Sequence, residues 1–583
     1  MDMRREIQDA LAQASASVGI EIEPQDVPLE HTNDFAHGDY ASGIALARAK
    51  QAGTAPRTLA EKLVAALHVG YPTRPNGSSG RMSSISKIEI AGPGFINFHL
   101  APTVFADTLT RARSDARWGS GMSLKDKKIM VEYTDPNPFK EFHIGHLMSN
   151  AIGESIARLL ECSGATVYRA NYQGDVGPHV AKAIWGIQKL GVDARGSSAL
   201  GRAYTEGAQA YENDPKAKGE IDTINVKVYD KSDVAINDIY AAGRRASLAH
   251  FEDLYKILDT KFDHYFFESE TAPLGLALVN AHPEVFEKSD GAIVYKGESE
   301  GLHTRVFITS KGLPTYETKD LGLAELKAET WNFDQSISIT AHEQADYFAV
   351  VLAAMRKVLP NIAPKITHIS HGMMRLARTA TVDGFAEGKM SSRTGNVITG
   401  ESLLNDIADA ARVRALESRA ENADVLAREI AVGAIKYQIL RQASGKDIIF
   451  DRERALSLDG DSGPYLQYAH ARTHQVVAKA RAEGITPALD ANAFSTDLPA
   501  QAGLVRLLHR FPEVAARAAQ MREPHLVSNF LIAFAAAFNS WYAQVHILDG
   551  SSEAPHKVAI ADAARVTLKQ GLSLLGIPAP EKM

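Results

Sequence analysis

The sequence predicts a doubly wound α/β domain with a parallel sheet, preceded by a smaller α/β domain and followed by an all-α region. Three observations predict it. Through the middle of the chain, strand-like apolar runs alternate with helical periods, as at 127–133, 152–160 and 165–172, which is the pattern of a βαβ unit. Before residue 118 an amphipathic helix leads to two alternating stretches around Gly92-Pro93-Gly94, which read as paired strands. From about Gly400 onward the pattern is almost wholly helical.

The 583 residues allow three or four domains with ample core. Hydrophobic content of 45% and charge of 23% place the chain among ordinary soluble proteins. With 63 basic and 70 acidic residues the net charge is −7, so any nucleic-acid partner has to be met by a local basic face. The one cysteine, Cys162, excludes an internal disulfide framework and a multi-cysteine zinc site. The N-terminus lacks the apolar core of a signal peptide. The most apolar late run, 530–538, is nine residues, too short to cross a bilayer. A cytoplasmic protein without a membrane partner is expected.

The stretch 131–147 organises the rest. A buried strand at 127–133 feeds a loop, 134–142, that carries two prolines and an asparagine. A helix follows, with His143 and His146 one turn apart at its start and Ile152, Ile156 and Leu160 on one face. A helix N-terminus presents unpaired N–H groups and about half a positive charge. Two imidazoles beside it suit phosphate oxygens, and Gly145 would let a ligand approach the backbone. Taken alone, His-x-Gly-His also reads as a loop–helix junction with surface histidines. A second element, Gly388-Lys-Met-Ser-Ser-Arg-Thr-Gly-Asn396, is a glycine-bounded basic loop after a strand-like 365–370. Lys140, Lys389 and Arg393 are then candidates to neutralise a departing pyrophosphate.

The helix start and the basic loop together resemble the signature pair of class I aminoacyl-tRNA synthetases, and their flanks resemble the arginyl-tRNA synthetase family. The resemblance covers nearly the whole chain in order. It implies a Rossmann-like catalytic domain at 119–400 with an insertion at about 190–288, a connecting region at 401–455 and a helical anticodon-binding domain at 456–583. Residues 1–118 would be an appended domain touching the tRNA elbow. The implied activity is ATP-dependent ligation of L-arginine to the 3′ end of its tRNA through an arginyl-adenylate, releasing AMP and pyrophosphate. ATP would be held by His143, His146, Lys389, Met390 and Ser391, with Mg2+ as its counter-ion and no structural metal in the protein. Gly145, Lys140 and Arg393 complete the implied catalytic set. The family's guanidinium-binding residues map onto Glu132, Tyr316, Asp320 and Gln344, and the residue holding the amino acid's main-chain groups maps onto Asn137. Bidentate pairing of a carboxylate with a guanidinium explains the acids.

By the resemblance Phe95, Asn97, Tyr465, Tyr468, Arg472 and Met583 are tRNA-contact candidates, with Phe95 equally readable as a core residue. By spacing alone, Tyr465, Tyr468 and Arg472 share a helix face and suit either base stacking or a core with an arginine at its rim. Two departures stand out. The family's arginine two positions after the second histidine is Met148 here, and the loop Lys-Met-Ser-Ser-Arg lacks the second lysine of the wider class. In arginyl enzymes without that lysine, the residue matching Lys140 takes its place. A monomer is expected. The rival readings are a synthetase for another amino acid, which the paired acids disfavour, a small-molecule nucleotidyltransferase with the same signature, and a catalytically silent RNA-binding relative. Of the last two, the helical C-terminal third disfavours the former, and the presence of His143, His146 and Lys389 disfavours the latter. The sheet is expected to resume after the insertion at 302–309, 335–341 and 365–370.

Overall fold

A five-stranded parallel sheet carries the middle of the chain: β1 Lys128–Glu132, β2 Thr166–Gln173, β3 His264–Phe267, β4 Gln335–Ala341 and β5 Ile366–His371, in spatial order β5-β4-β1-β2-β3. This is a computed structural model, and it describes residues 3–70, 84–377, 399–417, 422–489 and 499–583. The strand order reverses at β1, since β2 lies on one side of it and β4 on the other. The crevice outside the carboxyl ends of β1 and β4 is therefore the topological switch point, where open α/β sheets bind ligands. Glu132 ends β1 and pairs in register with Ser338 of β4.

Two expectations about this sheet need correction. The stretch 302–309 does not return to it: Arg305–Ile308 pairs antiparallel with Ala292–Tyr295, in a separate three-stranded sheet with Glu287–Ser289. Conversely, β3 lies inside the stretch read as an insertion, yet it pairs parallel with β2. Four residues of β-prone sequence after a long helical segment do not disclose which sheet they will join.

Helix α1, Ile144–Cys162, connects β1 to β2. It approaches β1 closely because Gly153 has no side chain: a Cβ there would lie 2.2 Å from Cγ of Tyr133. Met148, where the family has arginine, is a buried apolar residue of this helix. Further on come α2 Tyr316–Thr330, α3 Ala345–Val358, α4 Ala423–Leu440 and α5 Gly463–Ala482.

The chain divides into two compact units. One comprises Gly119–Gln475, Pro512–Ala535 and Leu568–Met583, and holds all of the elements labelled above except the end of α5. The other comprises Met1–Trp118, Val476–Phe511 and Ala536–Thr567, so the N-terminal domain shares a unit with C-terminal helical residues. Within that unit Asp39 pairs with Arg506 at 2.8 Å and Trp118 Nε1 donates to Thr567 Oγ1 at 2.9 Å. The 85–100 segment forms the expected antiparallel pair, Ile85–Ala91 with Phe95–Leu100.

The late apolar run extends further than its nine residues suggested. It lies in the helix His525–Gln544, which by length and composition alone is long and apolar enough to cross a membrane. Its Val527, Leu531, Phe534, Phe538 and Trp541 are fully buried inside the protein, so its apolarity is used in packing.

Behind β1, the buried Glu154 of α1 accepts from Arg158 Nε at 2.7 Å and Arg169 Nε at 3.2 Å, and also from the Tyr133 hydroxyl. Burial alone would raise its carboxyl, but the two guanidinium charges hold it below the usual range. Breaking such a buried network costs about 3–5 kcal/mol. Glu154→Gln is therefore expected to lower the midpoint of thermal unfolding clearly, measured by calorimetry against an exposed control substitution such as Glu61→Gln.

Candidate active site

The loop between β1 and α1 is held in an unusual backbone conformation. Thr134, Asp135 and Phe139 have positive φ, at 79°, 46° and 67°, which costs on the order of 1–3 kcal/mol per non-glycine residue. The neighbours that hold it come from three elements. Thr134 N–H donates to Ser149 Oγ at 2.9 Å, and Asn150 Nδ2 donates to Thr134 Oγ1 at 3.0 Å, both from α1. Tyr172 N–H, on β2, donates to Asp135 Oδ1 at 2.7 Å. Phe139 N–H donates to Ser247 Oγ at 3.0 Å, on the helix Val234–Ile257. The loop thereby sets Asn137, whose Oδ1 accepts from Gly174 N–H at 2.8 Å. With that oxygen engaged, the Nδ2 amide is the group Asn137 has left for a ligand, and it suits a carboxylate.

At the helix start the two histidines cap α1 reciprocally. Gly145 N–H donates to His143 Nδ1 and His143 N–H donates to His146 Nδ1, each at 3.1 Å. Their rings stack 3.6 Å apart. Because each Nδ1 is an acceptor, each neutral ring carries its proton on Nε2 and is a donor there. Burial pushes His143 down to about 4, helped by the charge of Lys140, and burial with the neighbouring His143 pushes His146 well below its ordinary value. Both imidazoles are thus neutral at physiological pH. Gly145 is required by the cap itself: a Cβ there would lie 2.9 Å from the His143 ring, so glycine is what lets the ring cap the helix.

These groups line a cavity of about 570 Å³ at the switch point. It brings together eight of the predicted site residues: Glu132, Asn137, His143, Gly145, His146, Tyr316, Asp320 and Gln344. Tyr316 and Asp320 share the cavity face of α2, while Tyr316 and Gln344 are exposed at its rim. Lys140 does not line the cavity, although its charge is felt at both histidines; its Nζ lies 5.4 Å from the Tyr204 ring centroid. Lys389, Met390, Ser391 and Arg393 lie outside the described residues.

Among the polar residues of this cavity that sequence reasoning missed, four mark its acidic end. Lys327 Nζ lies 2.6 Å from Glu132 Oε2, both side chains buried. Tyr347 donates its hydroxyl to Asp320 Oδ2 at 2.5 Å. Asp135 adds a third carboxyl, pushed well up by burial and by the charge of Glu132. Glu268, at the end of β3, is ion-paired with Lys319 at 2.6 Å. Only Lys327 carried a signal, since it stands seven residues after Asp320 and so shares its helix face. Burial pushes Asp320 up to about 7; the Tyr347 hydrogen bond opposes the rise, and the charges of Glu132 and Glu268 add to it.

The RNA-contact candidates divide. Phe95 is exposed, but Asn97 is buried at 3% exposure in the strand pair, so it is not displayed to a partner as expected. Arg472 stacks over the Tyr468 ring at 4.7 Å and donates to its hydroxyl at 3.1 Å. Tyr468 and Met583 meet in a second cavity of about 320 Å³, with Leu426, Ile430 and Pro464 in its wall. Tyr465 is half-buried near the start of the same helix.

Comparison with known proteins places this geometry. Residues 109–452 match the family described as tRNA synthetases class I (R), catalytic domain; 466–583 match the DALR anticodon binding domain; and 1–100 match the arginyl tRNA synthetase N terminal domain. An arginine–tRNA ligase of Clostridioides difficile is 29% identical over 557 residues, 94% of each chain. One from Treponema denticola is 30% identical over 486 residues, covering 80% of this chain and 81% of the relative. The solved arginyl-tRNA synthetase of Thermus thermophilus aligns over 100% of both chains with a TM-score of 0.77 at 25% identity. That of Plasmodium falciparum reaches 0.77 at 18% identity, which speaks to the fold alone.

The raised Asp320 carboxyl makes cation binding in this cavity pH-dependent, with a definite sign. Below about 7 the group holds a proton, and a guanidinium has to displace it. Affinity for a guanidinium ligand is therefore expected to climb about tenfold per pH unit up to about 7 and to level off above it. In the empty protein the same group works the other way: it destabilises the fold as pH rises from the ordinary carboxylate range to about 7. Calorimetric titration with arginine across that range checks the first statement; a flat affinity would assign the cation contact to another group.

Proposed function

This chain belongs to the class I arginyl-tRNA synthetases and is an arginine–tRNA ligase, and we propose that the cavity at the carboxyl ends of β1 and β4 is where it activates arginine. The observation that carries this reading is the presence, in one cavity, of a neutral imidazole pair at a helix N-terminus and a cluster of buried carboxyls. The first suits a triphosphate and the second a guanidinium.

In this reading Glu132 and Asp320 take the guanidinium, with Tyr316 and Gln344 at the rim, and Asn137 Nδ2 meets the α-carboxylate. That carboxylate attacks the α-phosphate of ATP, forming arginyl-adenylate and releasing pyrophosphate. A terminal hydroxyl of the tRNA then attacks the acyl carbon, giving arginyl-tRNA and AMP. The protein contributes position and preorganised donors. The Nε2–H groups of His143 and His146 and the N-terminus of α1 face charge that develops on phosphate oxygens. Neutral imidazoles suit this work, because no proton has to be lost or gained for them to donate.

Lys140, Lys389 and Arg393 are proposed to offset the charge of the leaving pyrophosphate, and Mg2+ to accompany ATP as its counter-ion. Thr399, six residues after Arg393, bridges to His143, which supports a role for that segment at the helix start. Phe95 in the N-terminal domain, and Tyr465, Tyr468, Arg472 and Met583 in the C-terminal region, are proposed to meet the tRNA, the last four at the anticodon. The simplest setting is a cytoplasmic monomer.

Pyrophosphate exchange run with each amino acid and with tRNA present tests the reading: arginine alone is expected to support it, and equal exchange with lysine would overturn the assignment of the acidic end. His146→Ala is expected to slow exchange by roughly 10²–10³ while leaving the KM for arginine nearly unchanged. A loss confined to KM would remove the histidine from the reaction centre.

A further inference from the structure

Lys327 is a buried cation inside a cavity whose substrate is itself a cation. Its Nζ lies 2.6 Å from Glu132 Oε2, with the two side chains 3% and 4% exposed, and it donates to Ser338 Oγ at 3.4 Å. Tyr347 occupies Asp320 Oδ2 in the same way. Glu132 Oε2 is buried and meets Lys327 as an ion pair without hydrogen-bond geometry, and among the described residues no hydrogen bond reaches Glu132 Oε1 or Asp320 Oδ1. Each acid therefore offers the substrate a single oxygen. A guanidinium, with N–H groups pointing outward in a plane, can bridge two such oxygens. The bidentate pairing expected from the sequence is not what Glu132 is set up to make.

We infer that Lys327 is a positioning residue for arginine specificity, acting through Glu132: it holds one carboxylate oxygen and aims the other at the guanidinium. The consequence is chemical selectivity against a neutral isostere. Citrulline has a urea oxygen where arginine has an N–H group, so in the intact cavity an oxygen set against Glu132 Oε1 meets a second acceptor and is repelled. Without Lys327 the buried Glu132 loses its partner, and a buried carboxylate without a cation takes up a proton. A protonated Glu132 becomes a donor that a urea oxygen accepts. Met in place of lysine thus weakens arginine and admits citrulline, which general loosening of the fold would not do selectively. The inference rests on the assignment of Glu132 and Asp320 to the guanidinium.

The test is pyrophosphate exchange with tRNA present, measuring KM for arginine and ATP and the inhibition constant of citrulline. Lys327→Met is expected to lower the ratio of the citrulline inhibition constant to the arginine KM at least about tenfold, with the KM for ATP within about threefold of the starting protein. Lys327→Arg, which keeps the cation, is expected to retain most of the ratio. In a Glu132→Gln background, adding Lys327→Met is expected to change the ratio no further, as for two residues acting as one unit. That double variant contains no unpaired buried charge, so if either single variant fails to fold, the double variant's ratio is read against the starting protein: a fall supports the inference and an unchanged ratio overturns it. An unchanged ratio in Lys327→Met, or a further additive loss in the Glu132→Gln background, overturns the inference. Asp320→Asn separates the two levels: if it leaves the arginine KM unchanged, the guanidinium assignment falls and the inference falls with it. If it raises KM while Lys327→Met leaves the ratio intact, only the role of Lys327 falls.

Discussion

Buried charge is the constraint on which this site depends. A cavity that is to select a guanidinium has to hold carboxylates out of water, where an isolated one costs so much that it takes up a proton instead. The structure answers differently for each acid. Glu132 is given an ammonium, Glu268 is given another, and Asp320 is given only the Tyr347 hydroxyl. Asp320, without a cation, is pushed up to about 7, Asp135 is pushed well up, and Glu268 is raised by burial against the opposing charge of Lys319. In the proposed reading Asp320 is the carboxyl whose charge arrives with the substrate, while Glu132 already has Lys327 beside it. The cavity avoids a cluster of like charges when empty and still presents two acceptors when filled.

The opposite requirement is met at the start of α1. Triphosphate needs donors, and the obvious supply would be charged histidines. Burial and the nearby Lys140 instead keep both rings neutral. Reciprocal capping converts that into an advantage, because it engages both Nδ1 atoms and leaves both Nε2–H groups as donors of fixed identity. The same arrangement explains why glycine stands between the histidines. The strained backbone at Thr134 and Asp135 belongs to this design, since it brings the chain from the end of β1 to Asn137 and onward to the cap within ten residues.

What the sequence disclosed follows the range of the interactions concerned. The strand, the proline-bearing loop, the helix start and the pairing of Tyr316 with Asp320 were legible because each depends on neighbours within about one or two helical turns. Tyr347 was not, because what gives it meaning is contact with Asp320 across another element, and Lys327 showed only its helix face and not its partner Glu132 on β1. Glu268 was hidden by β3, a four-residue strand after a long helical stretch that reads as insertion. The segment at 302–309 failed for the complementary reason: alternation marks a strand but not its partner. Asn97 shows the limit of carrying a role over by position, since a polar residue on a strand can face the interior as easily as a partner. In the late helix, counting only the most apolar residues understated its length, because alanines and small polar residues on either side continue the helical period.

The C-terminal tail connects these themes, because a chain with prolines at 578 and 580 offers carbonyls it cannot match with its own N–H groups. Side chains from three helices supply the donors. Ser155 and Arg158 of α1 reach the carbonyls of Leu574 and Ser573, at 2.8 and 3.1 Å. Lys436 of α4, fully buried, donates to Gly576 at 2.8 Å and to Leu258 at 2.6 Å. Gln467 and His470 of α5 reach Pro578 and Pro580, at 3.0 and 2.9 Å. The tail is therefore fastened to the helix that begins with the two imidazoles and, a few residues later, to the helix that carries Tyr468 and Arg472. Since Arg158 also pairs with Glu154 behind β1, the hydrogen bonds that seat the tail and those that seat the signature helix share a residue. Residues 573–580 are in this sense part of the framework that carries the candidate site.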